Sequence, residues 1–567
     1  MSDYISDLSA DVESTARTGG GVWTLSACGI TRTERAIAAL VHRDAYRGGV
    51  EAARVLLVGG LSGRQQDVGL ALRCMHLYAG MARKAHGIAL SVVPCANPDG
   101  LALGVGPQNG AGGVPEAGYP PVDGFFNDPT DPEKRYLWRW VCHQAPDLVL
   151  ELCDSDAVVW EANEAAVVMA RPLGAAPLGP SDSLLAALGT GEPDGLGTVP
   201  GLRLSTPQGR LKAELDRLWS LLRGTGAPGP SAARVTLEAR AVRSPVEVGR
   251  ALAQVYGHTL TPMMYTKGVA VSGRLRLAEL DSQGESPLDD IEALVSPFVS
   301  DFDSVEANAL EQGALSGFVW CDDLAEATGN SRYSDLLVRV ADKFEPRGME
   351  GGGPPEAADT LVEDMFHAGV LWGRAFKITG DVSYPDRLAR FLLGARNQQD
   401  VGYFWHSPSA PHYWGRGNGF AALGFAEALT YVPDDHPRRN DVVAKHRRHL
   451  EALRPLQRPS GMFPQLLDSP GSFDEFTATC QIGYAVARGL NRGWLDGSYG
   501  DMVERAWRGV SQRIDEEGNV TDACEGTGLM DSRQDYLDRQ ALSGFDDRSG
   551  SMAIWFATEM SGLRAGI

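Results

Sequence analysis

The sequence predicts two domains of different class: an N-terminal α/β domain with a mixed sheet and a C-terminal all-α toroid of helical hairpins. Apolar runs typical of buried strands alternate with helical patterns in the first half of the 567 residues, and a helical motif recurs at fixed spacing in the second half. The length also suits more than one domain. We therefore expect an α/β domain at 1–257, a connector at 258–286 and a helical domain at 287–567.

Four apolar segments of the first half are predicted to be strands of one sheet. They are ARVLLVGGL (53–61), ALSVVPCANPDG (89–100), DLVLELCDSD (147–156) and ARVTLEARA (233–241). The segment 67–85 between the first two has the periodicity of a helix. Strands that alternate with helices indicate a largely parallel or mixed sheet covered by helices.

The second half contains a repeated motif, T-G-[ND]-x-x-Y-x-D. Thr328 and Thr379 begin two copies 51 residues apart, and a shorter third copy lies at 498–510. The Gly of this motif suits the position after a helix C-terminus, and the Tyr begins the next helix. A period of about 50 residues with two helices per unit predicts hairpins that close into an (α/α) toroid.

Composition and charge exclude several classes of partner. The formal net charge of −21 argues against nucleic acid, which needs a basic face, and no stretch is apolar for the roughly 18 residues of a membrane span. The first 21 residues are polar and acidic, unlike a signal peptide, so a cytoplasmic protein is expected if the sequence is complete. The eight cysteines show no CxxC pair, and we expect buried free thiols.

Five segments of the second half carry a family resemblance. They are LVEDMFHAGVLWGRAFKITGD (361–381), GYFWHSP (402–408), PHYWGRGNGF (411–420, continuing to 439), SGMFPQLLDSPGSF (460–473, continuing to 495) and GSMAIWFATEM (550–560). In this order they resemble the unsaturated rhamnogalacturonyl and glucuronyl hydrolases, glycoside hydrolase families 105 and 88. The resemblance implies an (α/α)6 barrel that removes a 4,5-unsaturated uronic acid from the end of a lyase product, without a metal or cofactor.

The resemblance places the catalytic acid at Glu363, where the family has Asp. Asp364 is the alternative, and the two side chains point about 100° apart on a helix, so one of them can face the cavity. In the family chemistry this carboxyl group protonates C4 and then activates water at C5, which requires burial to raise its pKa. His367, four residues after Glu363, would instead lower that pKa. A pair of solvated acids on a helix face is the non-catalytic interpretation.

Six further residues are predicted to bind the sugar, and one of them is His367. His406 matches the loop histidine of the family, and Trp414 and Phe420 would face the pyranose ring. Arg416 would bind the uronate carboxylate through two hydrogen bonds, and Asn418 would bind hydroxyls. The alternatives are a packed histidine, core aromatics and a buried Arg–Asp pair.

The first 257 residues resemble the zinc carboxypeptidase and succinylglutamate desuccinylase-like family. In VGGLSGRQQ (58–66) Ser62 and Gln65 occupy the positions of the zinc ligands, and in DLVLELCDS Cys153 occupies the third. Glu238 keeps the position of the catalytic glutamate. Ser and Gln are poor zinc ligands, so the resemblance implies a degenerate domain without metal.

Four functions remain open at this stage. The first is a uronyl hydrolase whose partner is a uronic-acid-containing oligosaccharide, either as a monomer or as a homodimer. The second is a glycosidase of the exo-β-glucuronidase type that acts on a saturated uronide. The third is an inactive sugar-binding or scaffolding protein, and the fourth is a surviving zinc hydrolase.

Overall fold

The computed structural model describes residues 2–81, 87–122, 126, 128–190, 195–224, 229–281, 284–300 and 312–565. The chain forms two compact units: the first ends at Ala241 and also includes Ser469–Phe473, and the second begins at Val242. The division therefore lies before the boundary predicted at residue 257. The helix Pro245–Val255 belongs to the second unit because it packs against Tyr265–Leu280 and Asp547–Ala565 of that unit.

The first unit is built on one mixed sheet of eight strands, as the sequence predicted. The strands are β1 Trp23–Ile30, β2 Ala36–His42, β3 Ala53–Val58, β4 Ile88–Val93, β5 Leu148–Asp154, β6 Val159–Ala162, β7 Ala176–Pro177 and β8 Gly201–Thr206. Their order in the sheet is β1-β2-β4-β3-β5-β8-β6-β7. The four central strands, β4, β3, β5 and β8, are parallel to one another. β3 and β4 are buried along their whole length, as expected for strands covered on both faces.

Helices cover this sheet, and one of them replaces a predicted strand. The helices are Ser2–Thr18, Gln65–Met81, Pro98–Leu103, Pro132–Gln144, Leu184–Thr190, Leu211–Arg223 and Ala232–Ala241. The prediction of a strand at 233–241 is wrong: Arg234 and Glu238 form an ion pair of 3.0 Å between neighbouring turns of a helix. The Nη1 atom of Arg234 also lies 2.6 Å from Asp147, which anchors this helix to the sheet. The fourth parallel strand is β8, which the sequence analysis did not assign.

Helices of the second unit form the closed ring that the repeat predicted. Among the described residues six inner segments contact one another in a circle: Tyr265–Leu280, the interrupted helix 312–328, Glu363–Thr379, Gly415–Tyr431, Phe476–Arg492 and Asp547–Ala565. The outer helices are Pro245–Val255, Leu288–Ser300, Ser331–Lys343, Ser383–Gly394, Arg439–Leu453 and Gly500–Gln512. This is an (α/α)6 barrel. The predicted connector 258–286 contributes its first inner helix.

The repeated T-G-[ND] motif has the role that the sequence predicted. Gly329 and Gly380 follow the last residues of two helices with φ values of 72° and 70°, the left-handed conformation that favours glycine. The next helix of the first copy begins with Asn330 as its cap, whose side chain accepts a hydrogen bond from the backbone N–H of Arg332.

Two short antiparallel pairs and one short helix complete the second unit. The pairs join Phe463–Pro464 to Asp474–Glu475 and Val520–Cys524 to Ala541–Gly544, and the helix spans Arg533–Leu537. In the described part of the chain, helices long and apolar enough to cross a membrane are absent.

Candidate active site

The N-terminal ends of the inner helices bring the predicted acid together with three residues that sequence analysis did not find. Glu363 begins one inner helix, Tyr265 begins another, and Arg548 lies in the first turn of a third. Tyr536, from the short helix Arg533–Leu537, lies at the same end. Unpaired N–H groups and the helix dipoles make such an end favourable for an anion.

Glu363, His406 and Tyr536 form a hydrogen-bonded chain. The Nε2 atom of His406 lies 2.9 Å from Oε1 of Glu363, and its Nδ1 atom lies 2.6 Å from the hydroxyl oxygen of Tyr536. His406 and Tyr536 are buried, whereas the Glu363 side chain is 17% exposed. The other carboxylate oxygen of Glu363, Oε2, has no hydrogen-bond partner among the described residues. One oxygen is thus held in place, and the other is buried and unpaired among the described residues.

The hydrogen bond with His406 decides the charge of Glu363. Burial alone would raise the pKa of Glu363, but the charge and hydrogen bond of His406 outweigh burial, and the pKa lies below its ordinary value. Burial therefore does not bring this pKa toward neutrality, as the family chemistry would require. His367 adds a smaller lowering effect in acid, where its ring is charged. Its Nδ1 atom lies 2.7 Å from the hydroxyl of Ser316 instead of facing a sugar, and burial lowers the pKa of His367 to about 4, so that the ring is neutral near pH 7.

Asp364 points away from this chain, as expected for two neighbouring helical residues. Its Oδ2 atom accepts a hydrogen bond of 2.8 Å from the backbone N–H of Arg347, and the side chain is buried. Burial, together with the nearby charge of Glu363, raises the pKa of Asp364 to about 7. Asp364 therefore supports the loop at Arg347, whereas Glu363 carries the free oxygen.

The structure assigns Arg416 a role different from the predicted one. Its Nη1 atom donates to the carbonyl oxygen of Cys524, and its Nη2 atom donates to that of Glu525 at 2.7 Å. The guanidinium lies 4.6 Å from the centre of the Trp414 ring and is 1% exposed. Arg416 thus anchors the end of the strand Val520–Cys524, and both terminal nitrogens are bound to backbone oxygens instead of facing a uronate. The alternative of an Arg–Asp pair is not formed either.

The predicted hydroxyl-binding role of Asn418 also has to be corrected. Its Oδ1 atom accepts from the N–H of Phe404 at 2.7 Å and lies 3.1 Å from Nε2 of His449. Its Nδ2 atom donates to the carbonyl oxygens of Phe404 and Trp414, both at 2.9 Å. These contacts use the hydrogen-bonding capacity of the amide, so Asn418 fixes the loop that carries His406.

Trp414 and Phe420 lie beneath the site, and neither exposes the ring face predicted for the sugar. The Trp414 ring is 4.5 Å from that of His406, and both aromatic residues are 1% exposed. The Phe420 ring packs 5.7 Å from Tyr265 and 5.9 Å from Phe366. They position His406 and Tyr265 and belong to the core.

Tyr265 and Arg548 supply a phenol and a cation that are both partly exposed. Their side chains are hydrogen-bonded, and Arg548 also lies 3.3 Å from Asp546. Burial raises the pKa of Tyr265, and the charges of Arg548 and Arg416 oppose this, whereas that of Glu363 adds to it. Tyr265 is therefore close enough to interact with all three charges. The sequence feature that could have indicated Arg548 is the run D-D-R-S-G at 546–550.

A family model decides how the barrel is classified. The model described as Glycosyl Hydrolase Family 88 matches residues 263–563, more than half of the chain. The chain belongs to glycosyl hydrolase family 88. Its curated relatives include an unsaturated rhamnogalacturonyl hydrolase, YesR, of Bacillus subtilis (strain 168), 32% identical over 136 residues. Another is an unsaturated 3S-rhamnoglycuronyl hydrolase of Alteromonas sp. (strain LOR), 26% identical over 174 residues. These alignments cover 23% and 28% of this chain.

The family 88 chain spans about two fifths of the length of these relatives, 38% and 42% respectively. Among solved structures, a possible member of the GH105 family from Klebsiella pneumoniae subsp. pneumoniae MGH 78578 aligns over 59% of this chain and 94% of its own, with 21% identity and a TM-score of 0.48. A family 105 glycoside hydrolase from C. acetobutylicum ATCC 824 aligns over 55% and 98%, with 17% identity and a TM-score of 0.47.

The three ligand positions of the resemblance hold other side chains in the α/β unit of this family 88 chain. The Ser62 hydroxyl donates to Asp67, and Gln65 is exposed at the start of the helix Gln65–Met81. Burial raises the pKa of the Cys153 thiol to about 12, whereas zinc binds the thiolate. Glu238 is bound to Arg54 and Arg234 at 2.9 and 3.0 Å. These residues do not fit a zinc site, and no chemical step is assigned to one.

Proposed function

We propose that the barrel removes a terminal 4,5-unsaturated uronyl residue from oligosaccharides produced by a polysaccharide lyase. The observation that carries this proposal is the carboxylate of Glu363, which has one oxygen bound to His406 and the other free, at the N-terminal end of the inner helices. Family membership and the activities of the two curated relatives support the substrate class.

The Glu363–His406 pair can perform both proton transfers of the reaction. A proton held by the pair moves to C4 of the enol ether, and positive charge develops at C5. The free Oε2 atom of Glu363 then accepts a proton from the water molecule whose oxygen bonds to C5, which returns the pair to its starting state. The resulting hemiketal opens and releases the neighbouring sugar. The proton is assigned to the pair because Nε2 of His406 and Oε1 of Glu363 are hydrogen-bonded at 2.9 Å.

Arg548 is the proposed partner of the uronate carboxylate in place of Arg416. The Arg548 side chain is 23% exposed and hydrogen-bonded to Tyr265, whereas both terminal nitrogens of Arg416 are bound to backbone oxygens. The inner helix N-termini around it add to the attraction for an anion. This arrangement binds the carboxylate beside the double bond on which Glu363 acts.

The test is a spectrophotometric assay on lyase-generated unsaturated uronyl oligosaccharides. We expect the ultraviolet absorbance of the conjugated double bond to fall with time in the presence of the protein, because hydration at C4 and C5 removes it. Cleavage of saturated glucuronides with constant absorbance would instead show a conventional glycosidase. No reaction of either substrate class, in a sample with a cooperative thermal transition, would favour a sugar-binding protein.

Replacing Tyr536 by Phe is expected to change the pH profile as well as the rate. In the charged His406 ring both nitrogens donate, Nε2–H to Glu363 and Nδ1–H to the hydroxyl oxygen of Tyr536, and Phe removes this second acceptor. Without the acceptor the charged ring is less stable, so that His406 lowers the pKa of the Glu363 carboxyl group less. We expect the acid limb of the kcat/KM profile to rise by about half to one pH unit, because one hydrogen bond contributes roughly 0.5–1.5 kcal/mol.

Tyr413→Phe is the matched control for this variant. Tyr413 lies in the loop that carries His406, and its ring packs 4.7 Å from that of Tyr403. This substitution also removes one phenolic hydroxyl group. Its profile should superimpose on that of the unchanged protein. An unshifted profile for Tyr536→Phe, or an equal shift for Tyr413→Phe, would show that Tyr536 does not set the state of His406.

For the α/β unit we propose a carboxypeptidase-like origin with loss of the zinc site. In support, Ser62 and Cys153, two of the three expected ligand positions, line one cavity although 91 residues separate them. Titration of the intact chain with zinc chloride tests whether the zinc site has been lost.

A further inference from the structure

A cavity of about 360 Å³ lies at the carboxyl ends of β3 and β5 in the α/β unit. The chain leaves β3 through the helix Gln65–Met81 and returns as β4 on one side, whereas β8 pairs with β5 on the other side. The cavity therefore occupies the point at which the strand order reverses. Open α/β sheets bind ligands at this point, and the volume suits a small molecule.

Both cations that line the cavity are already paired. The Nε and Nη2 atoms of Arg203 each lie 2.9 Å from the same oxygen, Oε2, of Glu151. The Nε and Nη2 atoms of Arg64 each lie 3.1 Å from Oδ2 of Asp67. With Glu116 at the rim, the lining carries three carboxylates and two guanidinium groups, which leaves an excess of negative charge.

One of these carboxylates has an unused and buried oxygen. Glu151 is 4% exposed, and its Oε1 atom has no hydrogen-bond partner in the part of the chain that the structure describes. Burial raises the pKa of Glu151, Arg203 opposes this, and the charge of Glu116 raises the pKa further. A carboxylate oxygen buried in this way is unfavourable until a donor reaches it, and the donor that also offsets the excess charge is a cation.

We propose that this cavity binds a small organic cation that carries a primary ammonium group. An ammonium offers three N–H donors and one positive charge, which match the free oxygen of Glu151 and the nearby carboxylate of Glu116. An anion would meet three carboxylates. A metal ion does not fit, because Ser62 donates to Asp67 and Cys153 is a neutral thiol; groups of three or more metal-binding side chains are absent among the described residues.

Isothermal titration of the intact chain with two matched pairs of compounds tests this proposal. Glucosamine and glucose share a ring, and putrescine and 1,4-butanediol share a chain, so that every ammonium of the amine is replaced by a hydroxyl group in its counterpart. We expect saturable binding near one molecule per chain for at least one amine, and at least tenfold weaker binding of its hydroxyl counterpart. Glu151→Gln should weaken binding of that amine at least tenfold.

Two further variants make the result decisive. Glu161→Gln removes the same charge 3.8 Å from Arg203 but lies outside the cavity lining, and it should leave the affinity unchanged. Glu116→Gln changes an exposed rim residue without disturbing Arg203, and it should weaken binding at least threefold even if Glu151→Gln fails to fold.

Three outcomes would overturn the proposal. They are no binding of either amine, equal binding of amine and alcohol in both pairs, and amine affinity that is unchanged in Glu116→Gln and in a folded Glu151→Gln. Stoichiometric binding of zinc chloride that is lost in Cys153→Ser would show a metal site instead. These measurements do not depend on the activity of the barrel, so failure of the proposed hydrolase function would leave them unaffected.

Discussion

Glu363→Gln is expected to reduce kcat for the loss of ultraviolet absorbance roughly a thousandfold or more. Gln keeps the size of the side chain and can still accept the hydrogen bond from His406, but it neither delivers a proton to C4 nor accepts one from water. A positioned acid–base group contributes about 10²–10⁴-fold, and here one carboxyl group serves both steps. Initial rates at saturating unsaturated disaccharide measure the change.

Asp364→Asn is the matched control, because it makes the same chemical change one residue along the same helix. The Asn side chain can still accept the N–H of Arg347, and the free Oε2 atom of Glu363 is untouched, so kcat should stay within a few fold. Binding of the substrate to Glu363→Gln should persist. If Asp364→Asn instead abolished activity while Glu363→Gln retained it, the assignment of the acid would be reversed.

The fold was predictable where a local pattern determines local structure. The apolar runs of β3, β4 and β5 are buried strands because apolar residues occupy most positions on both faces, and Gly329 and Gly380 terminate helices because their backbone is left-handed. The segment 233–241 was mispredicted because its alternation resembles a strand, whereas the decisive contacts are the pairing of Arg234 with Glu238 and Asp147. Asp147 is distant in sequence, so the residues at 233–241 alone do not show that Arg234 pairs with it.

The sequence predicted which segments form the site, but it assigned several of their residues a role that the structure does not support. Glu363 and His406 are 43 residues apart and are hydrogen-bonded to each other, whereas the resemblance implied that His406 binds the sugar. Arg416 and Asn418 have the right chemistry for a sugar, but their donors and acceptors are already bound to backbone groups. A sequence shows which groups a side chain has and not which are already in use. Tyr536 was missed because the residues around it in the sequence form no recognisable motif. Its importance comes from one hydrogen bond, to His406, which the sequence does not show.

Arg374→Met is expected to lower the free energy of unfolding of the barrel by about 3–5 kcal/mol. Arg374 and Glu427 are fully buried in neighbouring inner helices, with Nη1 and Oε2 2.7 Å apart, and removing one partner of a buried pair leaves the other charge uncompensated. Burial would raise the pKa of Glu427, but Arg374 and two further arginines hold it at about 2. Denaturant unfolding followed by circular dichroism and tryptophan fluorescence measures the loss.

Two companion variants and one change of pH identify the cause of that loss. Lys377→Met also removes a cation, but its side chain is 39% exposed beside Asp322, so it should cost no more than about 1 kcal/mol. Arg374→Met combined with Glu427→Gln should recover part of the stability, because the amide is neutral and still accepts the Tyr484 hydroxyl. In Arg374→Met alone we expect burial to outweigh the two remaining arginines and to raise the pKa of Glu427 above its unfolded value, so that stability is lost as the pH rises through it. The deficit should therefore be larger at pH 8 than at pH 5, and equal deficits at the two pH values would show that lost packing, and not the unpaired carboxylate, destabilises the barrel.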